Sequence, residues 1–148
     1  MIERYVTDTN SIISYFSDVF DRPNILSFKA KSLIEQALSN PWGSVRLSIP
    51  SIVFVEIYEK WFLNEEFVRK FFYEVYTAID NSANVEIKPI DKEVIENLQQ
   101  IGGNLLHHDI HDKLIVASAM MLNCPIITTD SAIMEYVKGN QAIPSVIM

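Results

Sequence analysis

The stretch ERYVTDTN, residues 3–10, decides the fold because it joins a strand-like run to a polar turn. Residues 3–7 include aromatic and β-branched side chains that favour strands, and Asp8 follows them directly. After the turn, apolar side chains from Ile12 to Phe20 recur at helical spacing. This segment therefore predicts a strand, a turn and a helix, with an acid at the point where the strand ends.

The same alternation of strands and helices continues along the rest of the chain. Further strands are predicted at residues 45–49, 85–90, 126–129 and 145–147, and helices at residues 27–38, 50–61, 64–79, 91–102 and 111–123, with a short one after Asp130. Alternation of this kind indicates a mostly parallel sheet with helices on both faces and right-handed crossovers. We therefore predict an α/β fold, a three-layer α/β/α arrangement in a single domain over residues 1–148.

Helix boundaries follow from capping residues. Ser27, Asn64 and Asp91 each precede a run with helical periodicity, and such side chains accept hydrogen bonds from the first free backbone amides of a helix. Gly102 and Gly103 are typical of a helix end. These residues predict three helix starts and one helix end.

Composition limits the class of protein. The chain has 148 residues and no uninterrupted apolar run of the roughly 18 to 20 residues that span a bilayer. Residues 1–4 lack the features of a signal peptide. The single cysteine, Cys124, lies in an apolar run and is predicted to be a small buried side chain. We expect a cytoplasmic protein without a membrane span.

Two acids follow predicted strands directly, Asp8 after the first and Asp130 after the fourth. In parallel sheets, functional sites lie in the crevice beyond the carboxyl ends of the strands, so these two side chains are expected to meet there. Hard divalent cations prefer oxygen ligands of this kind. The alternative is that each aspartate only caps the helix that follows it.

Four segments in order resemble the signature of PIN domains, and especially of the single-domain VapC-type toxins. They are Asp8-Thr9-Asn10, Glu56 within an apolar helix, the run HDIHDKLIVASA at residues 108–119, and Thr128-Thr129-Asp130. The resemblance extends over nearly the whole chain. It implies that Asp8, Glu56, Asp112 and Asp130 bind metal and activate water.

The same resemblance carries expectations about activity and partners. It implies a ribonuclease that depends on Mg²⁺ or Mn²⁺ and leaves a 5′-phosphate and a 3′-hydroxyl on the RNA. It also implies frequent homodimers and, for VapC-type members, a cognate antitoxin. Asn10 and Thr128 match polar family positions that orient ligands or water, and Lys113 matches a basic position suited to an RNA phosphate; ordinary turn bonds and an exposed helix charge are the alternatives.

Two of the four assignments leave alternatives open. Glu56 is expected beside the buried stripe of its helix, and Glu59 replaces it if the helical register is shifted. Asp109 is predicted to cap the helix that carries Asp112, although the two acids could exchange or share their roles.

The three histidines, His107, His108 and His111, could suggest a transition-metal site or an acid–base pair. We favour exposed or locally hydrogen-bonded side chains in a polar loop. His111 replaces a residue that is usually bulky and apolar in PIN sequences, and this departure bears on local geometry and substrate preference.

The formal charge of −7 argues against a ribonuclease, because nucleic-acid binders usually present a basic face. Removing the four proposed ligands from the 19 acids leaves 15 against 12 Lys and Arg, a net charge of −3. Much of the acidity would then belong to the site itself.

The helix at residues 64–79 is rich in aromatic side chains. Most of them are expected in the core, and the remainder would suit a surface for a second subunit or an antitoxin.

Other function classes fit less well. A haloacid-dehalogenase-like phosphohydrolase needs a second Asp at position 10, where this chain has Asn10, and a receiver domain needs an acidic pair that is absent. The main alternative is a catalytically inactive PIN-like binding module, followed by a non-toxin PIN nuclease in RNA processing.

Overall fold

A computed structural model describes residues 1–102, 109–140, 143 and 145–148. Within these residues, five strands form one parallel sheet in the order β3-β2-β1-β4-β5, with helices flanking it. The predicted α/β class with a PIN-like parallel sheet is confirmed. No helix of the described residues is long and apolar enough to cross a membrane.

The strands are β1 (Glu3–Thr7), β2 (Val45–Pro50), β3 (Val85–Lys88), β4 (Ile126–Ile127) and β5 (Val146–Ile147). The helices before β3 are α1 (Thr9–Tyr15), α2 (Ser17–Phe20), α3 (Phe28–Ser39), α4 (Ser51–Trp61), α5 (Glu65–Phe71), a π-helical segment (Phe72–Tyr76) and α6 (Thr77–Asp80). Those after β3 are α7 (Lys92–Leu98), α8 (Ile110–Leu122) and α9 (Ser131–Lys138).

The three predicted helix starts are confirmed. Side chains of Ser27, Asn64 and Asp91 accept hydrogen bonds from backbone amides in the first turns of α3, α5 and α7. Because these bonds form within four residues of the cap, the local sequence is enough to place them.

Three predicted elements are shorter than expected. The edge strand β3 ends at Lys88 because its neighbour β2 ends there, at the paired Pro50. The helix α7 ends at Leu98 rather than at Gly102, since residues 100 and 101 form tighter turn bonds. The strand β4 ends at Ile127 because the backbone amide of Asp130 turns back to the Thr128 hydroxyl.

The helix predicted from Ile12 to Phe20 is divided in two. At Phe16 the backbone leaves helical geometry, and α2 begins at the next residue. The short helix α2 places the Phe20 ring in the core, where it contacts Trp61 and Phe71 edge to face. These ring contacts pack α2 against aromatic side chains of the core.

The strands β1, β2 and β4 bury most of their side chains, and Val6, Ile49 and Ile126 are fully inaccessible to solvent. Burial of strands on both faces is typical of parallel sheets covered by helices. Cys124 is also buried, as expected, and its thiol donates to the carbonyl of Leu122.

The aromatic segment over residues 65–80 is helical throughout, with the π-helical turn in its middle. Phe71 is buried and Phe67 and Tyr76 are half-buried, so part of the segment belongs to the core as predicted. Phe72 and Tyr73 are 44% and 81% exposed, so they do not belong to the core. An open apolar cavity of about 430 Å³ lies beside them, lined by Phe54, Val55, Tyr58, Phe62, Phe71, Phe72, Tyr76 and Ile87.

The strand order places a topological switch point between β1 and β4. The chain passes from β1 to β2 on one side of the sheet and returns to β4 on the other side. Ligands of open α/β sheets bind in the crevice at such a point, beyond the carboxyl ends of the strands. Asp8 and Asp130 follow the two strands that border this crevice.

Candidate active site

Asp8 lies at the carboxyl end of the central strand and caps α1. Its Oδ1 accepts a hydrogen bond of 2.8 Å from the Ser11 amide, and the residue is only 3% exposed. The Ser11 hydroxyl donates to the carbonyl of Ile127 at 2.9 Å, which ties α1 to β4. The carboxylate is therefore held rigidly, with one oxygen engaged in capping.

Thr128 joins Asp8 to Asp130. Thr7 pairs with Ile127 in the sheet, so the residues that follow them, Asp8 and Thr128, lie side by side. The buried Thr128 hydroxyl donates to Oδ2 of Asp8 and accepts from the Asp130 amide at 2.9 Å. Asp130 in turn caps α9 through a 3.0 Å bond from Ile133 to its Oδ1. One hydroxyl thus contacts the carboxylate of Asp8 and the backbone of Asp130.

The environment of Asp8 disfavours its charge. Burial raises the pKa of the Asp8 carboxyl above its ordinary value, and repulsion from Asp130 raises it further. Hydrogen bonds from Ser11 and Thr128 oppose the shift without cancelling it. A cation placed against the two carboxylates would remove the repulsion, so this part of the site favours a positively charged ligand.

Glu56 is buried on α4, beside the apolar side chains of Val53 and Ile57 as expected. Its Oε2 lies 2.8 Å from the ammonium nitrogen of Lys60, one helical turn along. Glu59, the alternative candidate, is exposed. Its Oε2 lies 3.7 Å from Nε2 of His111. The buried acid of α4 is therefore Glu56.

Asp109 and Asp112 occupy different positions on α8. Asp109 is exposed and caps the helix, accepting from the His111 amide at 2.7 Å, and this bond is the main reason that its pKa is lowered. Asp112 is half-buried in the first helical turn. The predicted division, with Asp109 as the cap, agrees with this geometry.

The His111 side chain is only 13% accessible, so of the two arrangements left open by the sequence it is not the exposed one. Its Nδ1 lies 2.5 Å from Oδ1 of Asp109, although the alignment is not that of a hydrogen bond. His107 and His108 lie outside the described residues. Asn10 is exposed at the start of α1, and Lys113 is half-buried on α8.

Comparison with known proteins gives the family. The family model described as "PIN domain" matches residues 5–139. The chain belongs to the PIN-domain family. This confirms the resemblance inferred from Asp8-Thr9-Asn10 and the later motifs. PIN domains are typically metal-dependent nucleases.

Two solved structures share the PIN fold over nearly their whole length. One is the crystal structure of FitAcB from Neisseria gonorrhoeae, with a TM-score of 0.63 and 15% identity, covering 97% of this chain and 96% of that one. The other is VapBC2 from Rickettsia felis bound to a DNA fragment from their promoter, with a TM-score of 0.59, 17% identity and the same coverage. At these identities the likeness concerns the fold. No curated protein matches the chain.

The acids proposed as ligands fall into two sets within the described part of the chain. Asp8 and Asp130 interact with each other, whereas Lys60 links Glu56 to the acids of α8 electrostatically. Among the described residues, no three His, Cys, Asp or Glu side chains are grouped so that they could hold a metal ion. The described contacts therefore join Asp8 to Asp130 and Glu56 to Lys60, and they do not gather the four proposed ligands into one cage.

The donors nevertheless fit Mg²⁺ or Mn²⁺ in kind. Mg²⁺ keeps several waters and is usually held by one or two carboxylates together with substrate phosphates, which the pair Asp8 and Asp130 can provide. The buried hydroxyls of Thr7 and Thr9, on either side of Asp8, have no hydrogen-bond partner within the described residues. If Glu56 joins such a site, it does so with one of its oxygens, Oε2, already in contact with the Lys60 ammonium.

Two supporting residues of the PIN site were missed at the level of sequence. Ser11 positions Asp8 through its amide and β4 through its hydroxyl, and its spacing three residues after a capping Asp was an available signal. Lys60 follows Glu56 by four residues, a spacing that predicts an ion pair on a helix.

Replacing Thr128 with Val is expected to lower activity and metal affinity of this PIN domain by about 10- to 100-fold, because outer hydrogen bonds orient metal ligands. The variant leaves Asp8 without its hydroxyl donor and the Asp130 amide without its acceptor, which should cost about 1–3 kcal/mol of unfolding free energy. Denaturant unfolding and cleavage assays measure the two effects. Thr128→Ser keeps the hydroxyl and is the control; equal losses in both variants would show that packing, not the hydrogen bonds, matters.

Proposed function

We propose that this PIN domain is a metal-dependent endoribonuclease that hydrolyses RNA phosphodiester bonds with Mg²⁺ or Mn²⁺. The observation that carries the proposal is the Asp8 carboxylate, buried at the switch point, bonded to Thr128 and repelled by Asp130. A carboxylate kept in a charge-disfavouring position is a feature of functional sites rather than of stable cores.

Each proposed site residue has a separate role in metal binding and hydrolysis. Asp8 and Asp130 would hold the cation, Asp112 would approach it from α8, and Glu56 from α4. When bound, the metal lowers the pKa of a water nucleophile and neutralises charge on the phosphate. Thr128 holds the Asp8 carboxylate and the backbone of Asp130, and the Ile133 amide holds the Asp130 carboxylate, so little reorganisation would be needed when substrate arrives.

Binding of RNA would rely on local contacts, because the chain carries a formal charge of −7. Lys113 lies on α8 immediately after Asp112 and is suited to an RNA phosphate. The metal itself supplies further positive charge at the carboxylates. These contacts would compensate locally for the acidic surface.

The biological role that we propose is the toxin of a type II toxin–antitoxin pair, acting in the cytoplasm. The ordered VapC-type motifs support it, as does the fold shared with VapBC2 and FitAcB over nearly the whole chain. The apolar cavity beside Phe72 would suit an amphipathic antitoxin helix or the second subunit of a homodimer. The alternatives are a non-toxin PIN nuclease in RNA processing and an inactive binding module.

The test is cleavage of end-labelled RNA by the purified protein with Mg²⁺ or Mn²⁺. We expect products bearing 5′-phosphates, complete loss of cleavage in EDTA and recovery when excess Mn²⁺ is restored. Cleavage that persists in EDTA would contradict a metal mechanism. Binding of RNA without strand breaks, at any metal concentration, would instead favour the inactive module.

A further inference from the structure

A cation of the chain itself already occupies one of the proposed metal ligands. The ammonium nitrogen of Lys60 lies 2.8 Å from Oε2 of Glu56. The Glu56 side chain is 11% exposed and that of Lys60 is 60% exposed, so the pair lies at the boundary between the interior and solvent. A hydrogen bond to a partly buried carboxylate is stronger than one between exposed groups.

The ammonium also interacts with acids of a second helix. Lys60 belongs to α4, which packs against α8, and the charges of Asp109 and Asp112 on α8 act on the ammonium. Lys60 therefore lies where negative charge from α4 and α8 converges, which is also where a divalent cation would be attracted.

Another lysine of the chain shows what an ordinary pair of this spacing looks like. Lys92 and Glu96 are also four residues apart, but their charged atoms are 3.7 Å apart and both side chains are mostly exposed. Pairs of that kind contribute little to stability. The closer pair has Glu before Lys, the favourable order on a helix, and includes a nearly buried carboxylate.

We propose that Lys60 is an internal counter-cation of the site, whose charge opposes the binding of a divalent metal at Glu56. The inference rests on the proposed metal site. Only Oε2 of Glu56 contacts the ammonium, so the other carboxylate oxygen could still reach a metal, but the two cations would then lie a few ångströms apart and repel each other. Lys60 thus lowers the affinity for metal while it stabilises the metal-free protein, and acts as a positioning residue through Glu56.

The experiment measures the dissociation constant for Mn²⁺ by isothermal titration calorimetry, without RNA. Lys60→Met keeps the aliphatic stem and removes the charge, so we expect Mn²⁺ to bind about three- to tenfold more tightly than to the wild type. The metal-free variant should melt at a lower temperature, and Mn²⁺ should raise its melting temperature by more than that of the wild type. Lys60→Arg should retain weak binding, and Lys92→Met is the matched control.

A double-mutant cycle shows whether the effect passes through Glu56. In a Glu56→Gln background, Lys60→Met should change the Mn²⁺ affinity no more than Lys92→Met does. Lys60→Gln provides a second neutral variant if Lys60→Met does not fold. Mn²⁺ binding by both neutral variants that is equal to or weaker than that of the wild type overturns the proposal. So does a gain in Mn²⁺ affinity from Lys60→Met that is as large in the Glu56→Gln background as in the wild type.

The proposed function and this inference can fail separately. If the wild-type protein does not cleave RNA but Lys60→Met binds Mn²⁺ more tightly, the ribonuclease proposal is wrong and the counter-cation proposal is supported. If cleavage depends on metal but Lys60→Met leaves the Mn²⁺ affinity unchanged, the ribonuclease proposal is supported and the counter-cation proposal is wrong. If neither wild type nor Lys60→Met binds Mn²⁺, the counter-cation proposal is wrong.

Discussion

Asp8→Asn is expected to reduce RNA cleavage at least about 100-fold and to weaken Mn²⁺ binding by a similar factor. Removing an outer hydrogen bond from a metal ligand already costs about 10- to 100-fold, and this change removes a proposed ligand itself. The amide oxygen can still accept from the Ser11 amide, and the amide nitrogen can donate to the Thr128 hydroxyl. Loss of activity should therefore occur in a folded protein.

The same variant should be more stable than the metal-free wild type at neutral pH. Burial raises the pKa of Asp8, so its contribution to stability is fully present below the pKa of the unfolded chain. That contribution is lost as the pH rises through the folded-state pKa, because the ionised carboxylate is disfavoured only in the folded protein. The asparagine of Asp8→Asn does not titrate. The difference in melting temperature in favour of the variant should therefore grow as the pH rises from the unfolded-state pKa of Asp8 through its folded-state pKa.

Thermal melts in EDTA over a pH series, paired with cleavage assays in Mn²⁺, check both effects. Asp91→Asn is the matched control, because Asp91 caps α7 as Asp8 caps α1 but is far less buried and pairs with Lys88. The control should keep full activity. If Asp8→Asn is active, or if it melts below the wild type at neutral pH in EDTA, the role assigned to Asp8 is wrong.

The sequence predicted most of the fold because its decisive signals are local. The caps at Ser27, Asn64 and Asp91 each involve residues three positions away, and the strands before Asp8 and Asp130 show as short apolar or β-branched runs. Strand ends were less accurate. The end of β3 depends on its partner at Pro50, which is 38 residues away and is not visible in the local pattern.

The site itself was predicted as a set of residues and not as an arrangement. The bond between Thr128 and Asp8 joins residues 120 positions apart and follows from the register between β1 and β4. The low exposure of His111 likewise depends on tertiary packing, whereas the sequence had left an exposed and a locally hydrogen-bonded side chain open. The contacts of Ser11 with Asp8 and of Lys60 with Glu56 had local signals, their three- and four-residue spacings.

Asp112→Asn is expected to lower cleavage at least about 100-fold, whereas Asp109→Asn should change it by no more than about threefold. The physical difference is their position on α8. Asp109 caps the helix through a backbone bond that an asparagine side chain can also accept, so its charge is dispensable for the fold. Asp112 lies half-buried in the first turn, close enough to act on the charge of Lys60.

Measuring kcat and KM for the two variants at saturating Mn²⁺ separates the roles that the sequence left open. If Asp112 holds metal, its variant loses kcat and binds Mn²⁺ more weakly, while the unfolding free energy changes by less than about 1 kcal/mol because a first-turn charge contributes modestly to helix stability. Asp109→Asn should instead change stability slightly, since its charge near His111 is lost. A larger loss of kcat in Asp109→Asn than in Asp112→Asn would mean that Asp109, not Asp112, is the metal ligand. Equal losses would mean that both acids bind the metal.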